Sequence, residues 1–196
     1  MTLLFACFSY LLGSFPSGYL LFRLRNKGDI RDHGSRSIGA TNVLRTSGWK
    51  LAIPVAVLDI LKGFLPAFLG IKLFGDSRWA LLFGFCAIVG HCYPIFLRFK
   101  GGKGVATTTG VYAVFGLIPL LLMIVVFVLV ILITRYVSLG SILGVLSFPL
   151  FSYVFQGEAE ILFLGAAVFL LITYRHRENV QRMIKGNERK LGEKAA

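Results

Sequence analysis

The sequence predicts an all-α, polytopic integral membrane protein with seven transmembrane helices, the N-terminus outside and the C-terminus cytoplasmic. Three observations predict it. The 196 residues are 56% hydrophobic, with a mean hydropathy of +0.77, where soluble domains are roughly 45–50% apolar even with glycine counted. The run Leu117–Thr134 holds no charge in 18 positions, and about 17–25 apolar residues span a bilayer. The net charge of +12 sits in a few short segments beside the apolar runs. That distribution points to anionic headgroups and anionic substrates, and away from nucleic acid.

The N-terminal stretch lacks the positive start and small-residue cleavage site of a signal peptide, so it reads as a retained first helix over 2–22. Further spans follow at 51–72, 79–97, 105–116, 118–134, 137–154 and 161–174. The fourth is the shortest, because its 12 residues reach only ~18 Å at about 1.5 Å per residue. It opens on Thr107, Thr108 and Thr109, which suit protein or water better than lipid. Gly116 and Pro119 punctuate the turn into the fifth span.

With the N-terminus outside, the inside segments 23–50, 98–104, 135 and 175–196 carry 7, 3, 1 and 7 Lys and Arg, 18 of the 21. This satisfies the positive-inside rule. The outside turn at 155–160 holds Glu158 and Glu160 and no base. Merging 105–134 into one helix gives a six-span alternative, rejected on the placement of the seven-base tail. The length suits a single domain over 1–196.

Asp59 and Lys62 fall inside the second span, three apart and so on one helix face. They read either as a structural pair facing the bundle or as support beneath a site. Cys7, Cys86 and Cys92 form no CxxC pair and no metal-ligand spacing, and read as buried small hydrophobes. No metal site and no cofactor is expected.

Three inside segments carry polar chemistry. In the first, His33 to Arg45, glycine and serine precede a short helix expected from Ile38 with Ser37 as its cap. Backbone N–H groups at such a start bind anions. Thr41, Asn42 and Arg45 are placed near one face, where hydroxyl, amide and guanidinium suit phosphate oxygens.

The second is Phe99-Lys100-Gly101-Gly102-Lys103-Gly104. Its glycines let backbone approach a ligand, and Lys103 offers a point charge to phosphate. It is not a Walker A loop, since Leu97 and Gly104 stand where that motif needs Gly and Ser/Thr. The third is Tyr174-Arg175-His176-Arg177-Glu178-Asn179, where a helix continuing past 174 puts His176 and Asn179 on one face. Each segment alone also reads blandly, as an interfacial helix, a basic turn or a stop-transfer tail. Together, returned by the spans to one membrane face, they suit a ligand with one or two phosphates reacting near lipid. His91 reads as a packed or hydrogen-bonded histidine.

Taken in order, these motifs resemble the bacterial PlsY family of acyl-phosphate:glycerol-3-phosphate acyltransferases. The resemblance covers nearly the whole chain. It rests on Gly39-Ala40-Thr41-Asn42-Val43-Leu44-Arg45, Leu58-Asp59-Ile60-Leu61-Lys62-Gly63, Gly90-His91 leading to Lys100 through Thr107, Val137-Ser138-Leu139-Gly140-Ser141, and Arg175-His176-Arg177-Glu178-Asn179. Ile38 stands where the family usually has proline, which would loosen the loop after Ser35. The His-x4-Asp motif of related acyltransferases is missing, because Ile38 and Phe96 follow His33 and His91 at that spacing.

The resemblance implies acyl transfer from acyl phosphate to the 1-hydroxyl of glycerol 3-phosphate, giving lysophosphatidic acid and phosphate for phospholipid synthesis. It implies a site on the cytoplasmic side of a bacterial inner membrane, with glycerol 3-phosphate, acyl phosphate and membrane lipids as partners and no stated oligomeric state. By the same resemblance Arg45, Lys103 and Asn179 hold the glycerol-3-phosphate phosphate and His176 helps position it. Ser35 and the glycine-rich turns with Gly39, Gly101, Gly102 and Gly104 hold the acyl phosphate. Ser35, Lys103 and His176 are the residues expected to act in catalysis. No nucleophile–base pair stands out, which favours direct attack without an acyl-enzyme. The base is then a substrate phosphate or His176.

A transporter or flippase for a phosphorylated solute is the main rival reading, since it shares the basic mouth and the intramembrane Asp59/Lys62 pair. A CDP-alcohol phosphotransferase would need an aspartate cluster that this chain lacks. A purely structural membrane protein leaves the three polar segments unexplained.

Overall fold

The computed structural model describes residues 1–157 and 159–193. Glu158 of the expected acidic turn and Lys194 of the tail lie outside them. All regular structure among the described residues is helical. The chain packs as two compact units, residues 1–111 and 112–193.

In the first unit the expected first span is two helices, α1 (Thr2–Ser14) and α2 (Ser17–Asn26). They part at Phe15 and Pro16, where proline supplies no amide hydrogen to continue the ladder. After a loop come α3 (Ala40–Ser47), the long α4 (Trp49–Phe74), α5 (Ser77–Cys92) and α6 (Val105–Tyr112).

α4 carries Pro54 and Pro66 inside it, which helices in lipid tolerate when neighbours satisfy the freed carbonyls. α1 and α5 meet backbone to backbone. A Cβ on Gly13 would strike the Ala87 carbonyl, and one on Gly90 the Tyr10 carbonyl. Such small-residue contacts replace the hydrophobic drive that lipid cannot provide. An apolar cluster of Phe22, Ile30, Ile38, Val43, Leu51 and Leu97 anchors the loop between α2 and α3.

The second unit holds α7 (Leu117–Thr134), α8 (Val137–Gln156), α9 (Ala159–Arg175) and α10 (Arg177–Ile184). α8 packs on α7 and on α9, and the Tyr112 ring stacks on Phe148 with centroids 3.9 Å apart. α7 has a mean hydropathy of 3.3 over its 18 residues. Its Leu132 and Ile133 are 71% and 81% exposed, an apolar face suited to acyl chains.

Five helical stretches are long and apolar enough to cross a membrane, and a sixth if α9 and α10, bent by 62°, count as one. Residues 105–116 form only the eight-residue α6 and a turn. At about 1.5 Å per residue α6 reaches ~12 Å, against a hydrocarbon core of about 30 Å. α6 meets α4 near its middle, where Gly63 faces the Thr107 carbonyl and Gly110 faces the Ile60 carbonyl. The cysteines divide: Cys92 is buried and Cys86 partly so, but Cys7 is exposed on α1, contrary to the expected burial of all three.

Candidate functional site

In the first unit the loop before α3 is built around one side chain. Asn42 is 1% exposed. Its Nδ2 donates to the carbonyls of Ser37 (2.8 Å), His33 (3.0 Å) and Ile30 (3.4 Å), and its Oδ1 accepts the Ser35 N–H at 2.8 Å. The amide expected to face a substrate phosphate is spent on its own loop, and what it fixes is Ser35. Thr41 is exposed on α3 while Asn42 is buried, so the three do not gather on one face as expected: Thr41 and Arg45, four apart, stay together and Asn42 turns inward. Adjacent helical positions differ by about 100°. The helix begins later than expected, with Gly39 as N-cap. Ser37 Oγ accepts the Gly39 N–H at 3.3 Å instead of capping the helix.

Ile38 does not loosen this loop, because it is 1% exposed in the apolar cluster. At the start of the loop Asp29 accepts from Arg31 Nη2 at 2.6 Å and from its backbone N–H at 2.9 Å. These hydrogen bonds outweigh burial and hold the Asp29 carboxyl below its usual range. Arg45 is half-buried in the last turn of α3, where the helix dipole favours a cation.

The glycine-rich loop follows α5. Arg98 and Phe99 both take left-handed backbone, φ 53° and 61°, which turns the chain sharply back. The Phe99 N–H donates to the Pro94 carbonyl at 2.9 Å and the Gly102 N–H to the His91 carbonyl at 3.1 Å. A Cβ on Gly101 would strike the His91 carbonyl and the Pro94 ring. The protein itself therefore occupies the space these two glycines leave. Lys103 projects half-buried between Gly102 and Gly104. Gly104, φ +85°, starts α6 through the Thr108 N–H to Gly104 carbonyl bond of 2.8 Å.

In the second unit the helix does not run straight past residue 174, because it bends by 62° at His176. His176 and Asn179 are nonetheless both buried, each 2% exposed. His176 Nδ1 lies 2.8 Å from the Ile172 carbonyl. A carbonyl only accepts, so Nδ1 carries the hydrogen and the neutral ring has its lone pair on Nε2.

Asn179 Nδ2 donates to Ser138 Oγ (2.8 Å) and to Glu188 Oε1 (2.6 Å). Ser138 Oγ donates to the same oxygen at 2.6 Å, and Arg182 Nε donates to Glu188 Oε2 at 2.7 Å. Glu188 is the residue that sequence reasoning passed over. Its one signal was an acidic side chain in a basic tail, and its partner Ser138 is 50 residues away.

Burial pushes the Glu188 pKa up, but hydrogen bonds from Ser138, Asn179 and Arg182 outweigh it and hold the carboxyl below its ordinary 4.5. A depressed native pKa stabilises the fold above the unfolded pKa, and that stability is lost as pH falls through the native one. The thermal midpoint of the protein should therefore drop as pH falls below 4.5, and Glu188→Gln should flatten that slope while lowering the midpoint at pH 7. An equally steep slope in Glu188→Gln would assign the acid sensitivity to another carboxylate.

Among the described residues no three His, Cys, Asp or Glu side chains gather as a metal-ligand set. Chemically, the first unit presents two cations, Arg45 and Lys103, with a fixed Ser35. The second presents an oriented imidazole and an amide held by a carboxylate.

A family model described as glycerol-3-phosphate acyltransferase matches residues 3–186. A protein of Aquifex aeolicus named glycerol-3-phosphate acyltransferase is 45% identical over 184 residues, 92% of this chain and 94% of that one. One from Endomicrobium trichonymphae with the same name is 42% identical, over 96% of this chain and 95% of its own. Among solved structures, PlsY (YgiH), an integral membrane glycerol 3-phosphate acyltransferase, superposes in its glycerol 3-phosphate form with a TM-score of 0.92 at 42% identity, covering 97% of this chain and 96% of that one. Its lysophosphatidic acid form gives 0.89 at the same identity, covering 97% and 95%.

Proposed function

Because this chain belongs to the glycerol-3-phosphate acyltransferase family and is an integral membrane enzyme of that activity, we propose that its acyl donor is acyl phosphate and that its products are lysophosphatidic acid and inorganic phosphate. The observation that carries the reading is the match, at 42% identity over 97% of the chain, to PlsY in forms holding glycerol 3-phosphate and lysophosphatidic acid. The 1-hydroxyl oxygen attacks the acyl carbonyl carbon, the carbon–oxygen bond to phosphate breaks, and phosphate leaves with the electron pair. The proton goes to a substrate phosphate or to Nε2 of His176. No acyl-enzyme forms, and trapping an acyl-Ser35 adduct would overturn this step.

Arg45, Lys103 and Asn179 bind the glycerol-3-phosphate phosphate, with His176 positioning it. Ser35, with backbone near Gly39 and Gly101–Gly104, binds the acyl phosphate. Asn42 serves by fixing Ser35, and Thr41, exposed beside Arg45, lends a hydroxyl at the edge. Positioning of this kind supplies much of a transfer reaction's acceleration, and cations stabilise charge developing on carbonyl and leaving group.

The enzyme works as one domain over 1–196, since a single family model spans both units. It sits in the bacterial inner membrane among anionic lipids, with seven passes and the N-terminus outside. The seventh pass counts 105–116, α6 with the turn that follows it, as crossing. The basic segments, and with them the site, then face the cytoplasm. An Arg135→Cys thiol labelled from outside intact cells would sink this topology.

The deciding assay is transfer to labelled glycerol 3-phosphate by purified protein in detergent, with palmitoyl phosphate and separately with palmitoyl-CoA. Product with the first donor only is expected. Product with CoA would remove the acyl-phosphate donor, and none with either would favour transport. In the same assay Cys92→Ala should keep turnover within about twofold, since a buried structural thiol is inert.

A further inference from the structure

Asp59 and Lys62 of α4 are 1% and 4% exposed, inside a segment long and apolar enough to cross a membrane. Asp59 Oδ1 accepts from Lys62 Nζ at 2.8 Å and from Ser17 Oγ at 2.6 Å, and His91 Nδ1 stands 3.6 Å from it. Lys62 Nζ also donates, at 3.0 Å, to the Phe15 carbonyl at the break between α1 and α2. One carboxylate thus ties α2, α4 and α5 together. A well-packed apolar pair would be at least as stable as a buried ion pair, so stability alone does not account for these charges.

The network ends at the glycine-rich loop. The His91 ring, 3% exposed, turns Nδ1 toward Asp59 and its opposite edge toward Gly102. A Cβ on Gly102 would strike Nε2, with Cε1 and Cδ2 at 2.8 and 3.0 Å. The His91 carbonyl also accepts the Gly102 N–H at 3.1 Å. The backbone immediately before Lys103 therefore rests on the imidazole and is pinned by the same residue's carbonyl. Beyond Lys103, α6 is held against α4 by the Gly63–Thr107 approach. Both ends of the loop are referenced to the helix that carries Asp59.

We propose that His91, held in place by Asp59, is a positioning residue for Lys103, its ring setting the height of the Gly101–Gly104 backbone and so the point at which the ammonium meets a substrate phosphate. This rests on the reading that Lys103 binds that phosphate. The buried ion network is then the support of a phosphate-binding loop.

The test is steady-state kinetics of the full-length enzyme in both substrates. His91→Asn keeps a polar group toward Asp59 but removes the ring edge beneath Gly102. It should raise KM for glycerol 3-phosphate about tenfold, with kcat within about threefold and a smaller rise in the donor KM, since the same backbone borders the acyl phosphate while Lys103 meets only the glycerol-3-phosphate phosphate, and a group displaced by an ångström loses much of its effect. Gly102→Ala pushes the same contact from the other side and leaves the ion network whole, so it should raise the same KM. In the double variant the methyl occupies the room the ring vacates, and KM should fall below that of Gly102→Ala alone.

A merely structural histidine would lower the yield of folded protein and kcat without moving KM for one substrate. A wild-type KM in Gly102→Ala, or a double variant no better than Gly102→Ala, overturns the proposal, and Gly102→Ala decides it even if His91→Asn fails to fold. Lys103→Ala separates the two layers. If it raises KM while His91→Asn and Gly102→Ala do not, the positioning role alone fails. If Lys103→Ala leaves KM unchanged, the reading of Lys103 fails.

Discussion

Lys103→Ala should lower kcat/KM for glycerol 3-phosphate about a hundredfold, with KM taking the larger share, because charge-assisted hydrogen bonds contribute about 1.5–3 kcal/mol each and uniform binding lost on mutation appears in KM. Three features make the effect large. The lysine is half-buried between buried glycines, so its charge acts where water screens it less. The loop that bears it is fixed by two backbone hydrogen bonds, from Phe99 to Pro94 and from Gly102 to His91, so the remaining chain cannot bring another cation into its place. Lys100 is exposed three residues away, on the far side of Gly101 and Gly102. Lys103→Arg should recover only part of the loss, since a planar guanidinium does not replace a compact ammonium in a tight turn. Wild-type kinetics in Lys103→Ala, in folded protein, would remove the lysine from the site.

The long spans were legible because lipid imposes a length and a composition that no soluble helix needs, and α4, α5, α7 and α8 end within a few residues of the apolar runs that predict them. The internal breaks were not read. Pro16 was visible, but apolar length says nothing of where a carbonyl finds another donor, and the Phe15 carbonyl finds Lys62. The shortness of α6 and the bend at His176 are set by which surfaces pack, not by local propensity.

At the candidate site, several polar groups that residue type and spacing offered to a ligand are engaged by the protein itself. Asn42 offered an amide to phosphate in one dimension and clamps its own loop in three. The glycines beside Lys103 suggested room for a ligand, but two of them make room for His91 and Pro94. Glu188 could not be paired with Asn179 and Ser138 from spacing, because the pairing depends on how α10 turns back on α8.

Lys62→Met should destabilise the protein by about 3 kcal/mol or more, the cost typical of leaving one member of a buried ion pair uncompensated. With Lys62 gone, Asp59 retains the Ser17 hydroxyl at 2.6 Å and the His91 ring at 3.6 Å, neither of which carries a fixed positive charge. The Phe15 carbonyl loses one of its two donors at the same time, keeping only the Ser17 N–H, so the break between α1 and α2 loosens with the pair. Thermal unfolding in detergent should show a clearly lowered Tm for Lys62→Met. The double variant Asp59→Asn/Lys62→Met should regain most of it, because no unpaired charge remains. An unchanged Tm in Lys62→Met would mean that water or headgroups reach Asp59 and that the pair is not sealed. The double variant also separates two consequences of one network. If the pair only stabilises, restored Tm should bring restored kinetics. If Asp59 orients His91 beneath Gly102, the refolded double variant should keep a raised KM for glycerol 3-phosphate, because an amide in place of the carboxylate restores packing without restoring the charge that holds the imidazole.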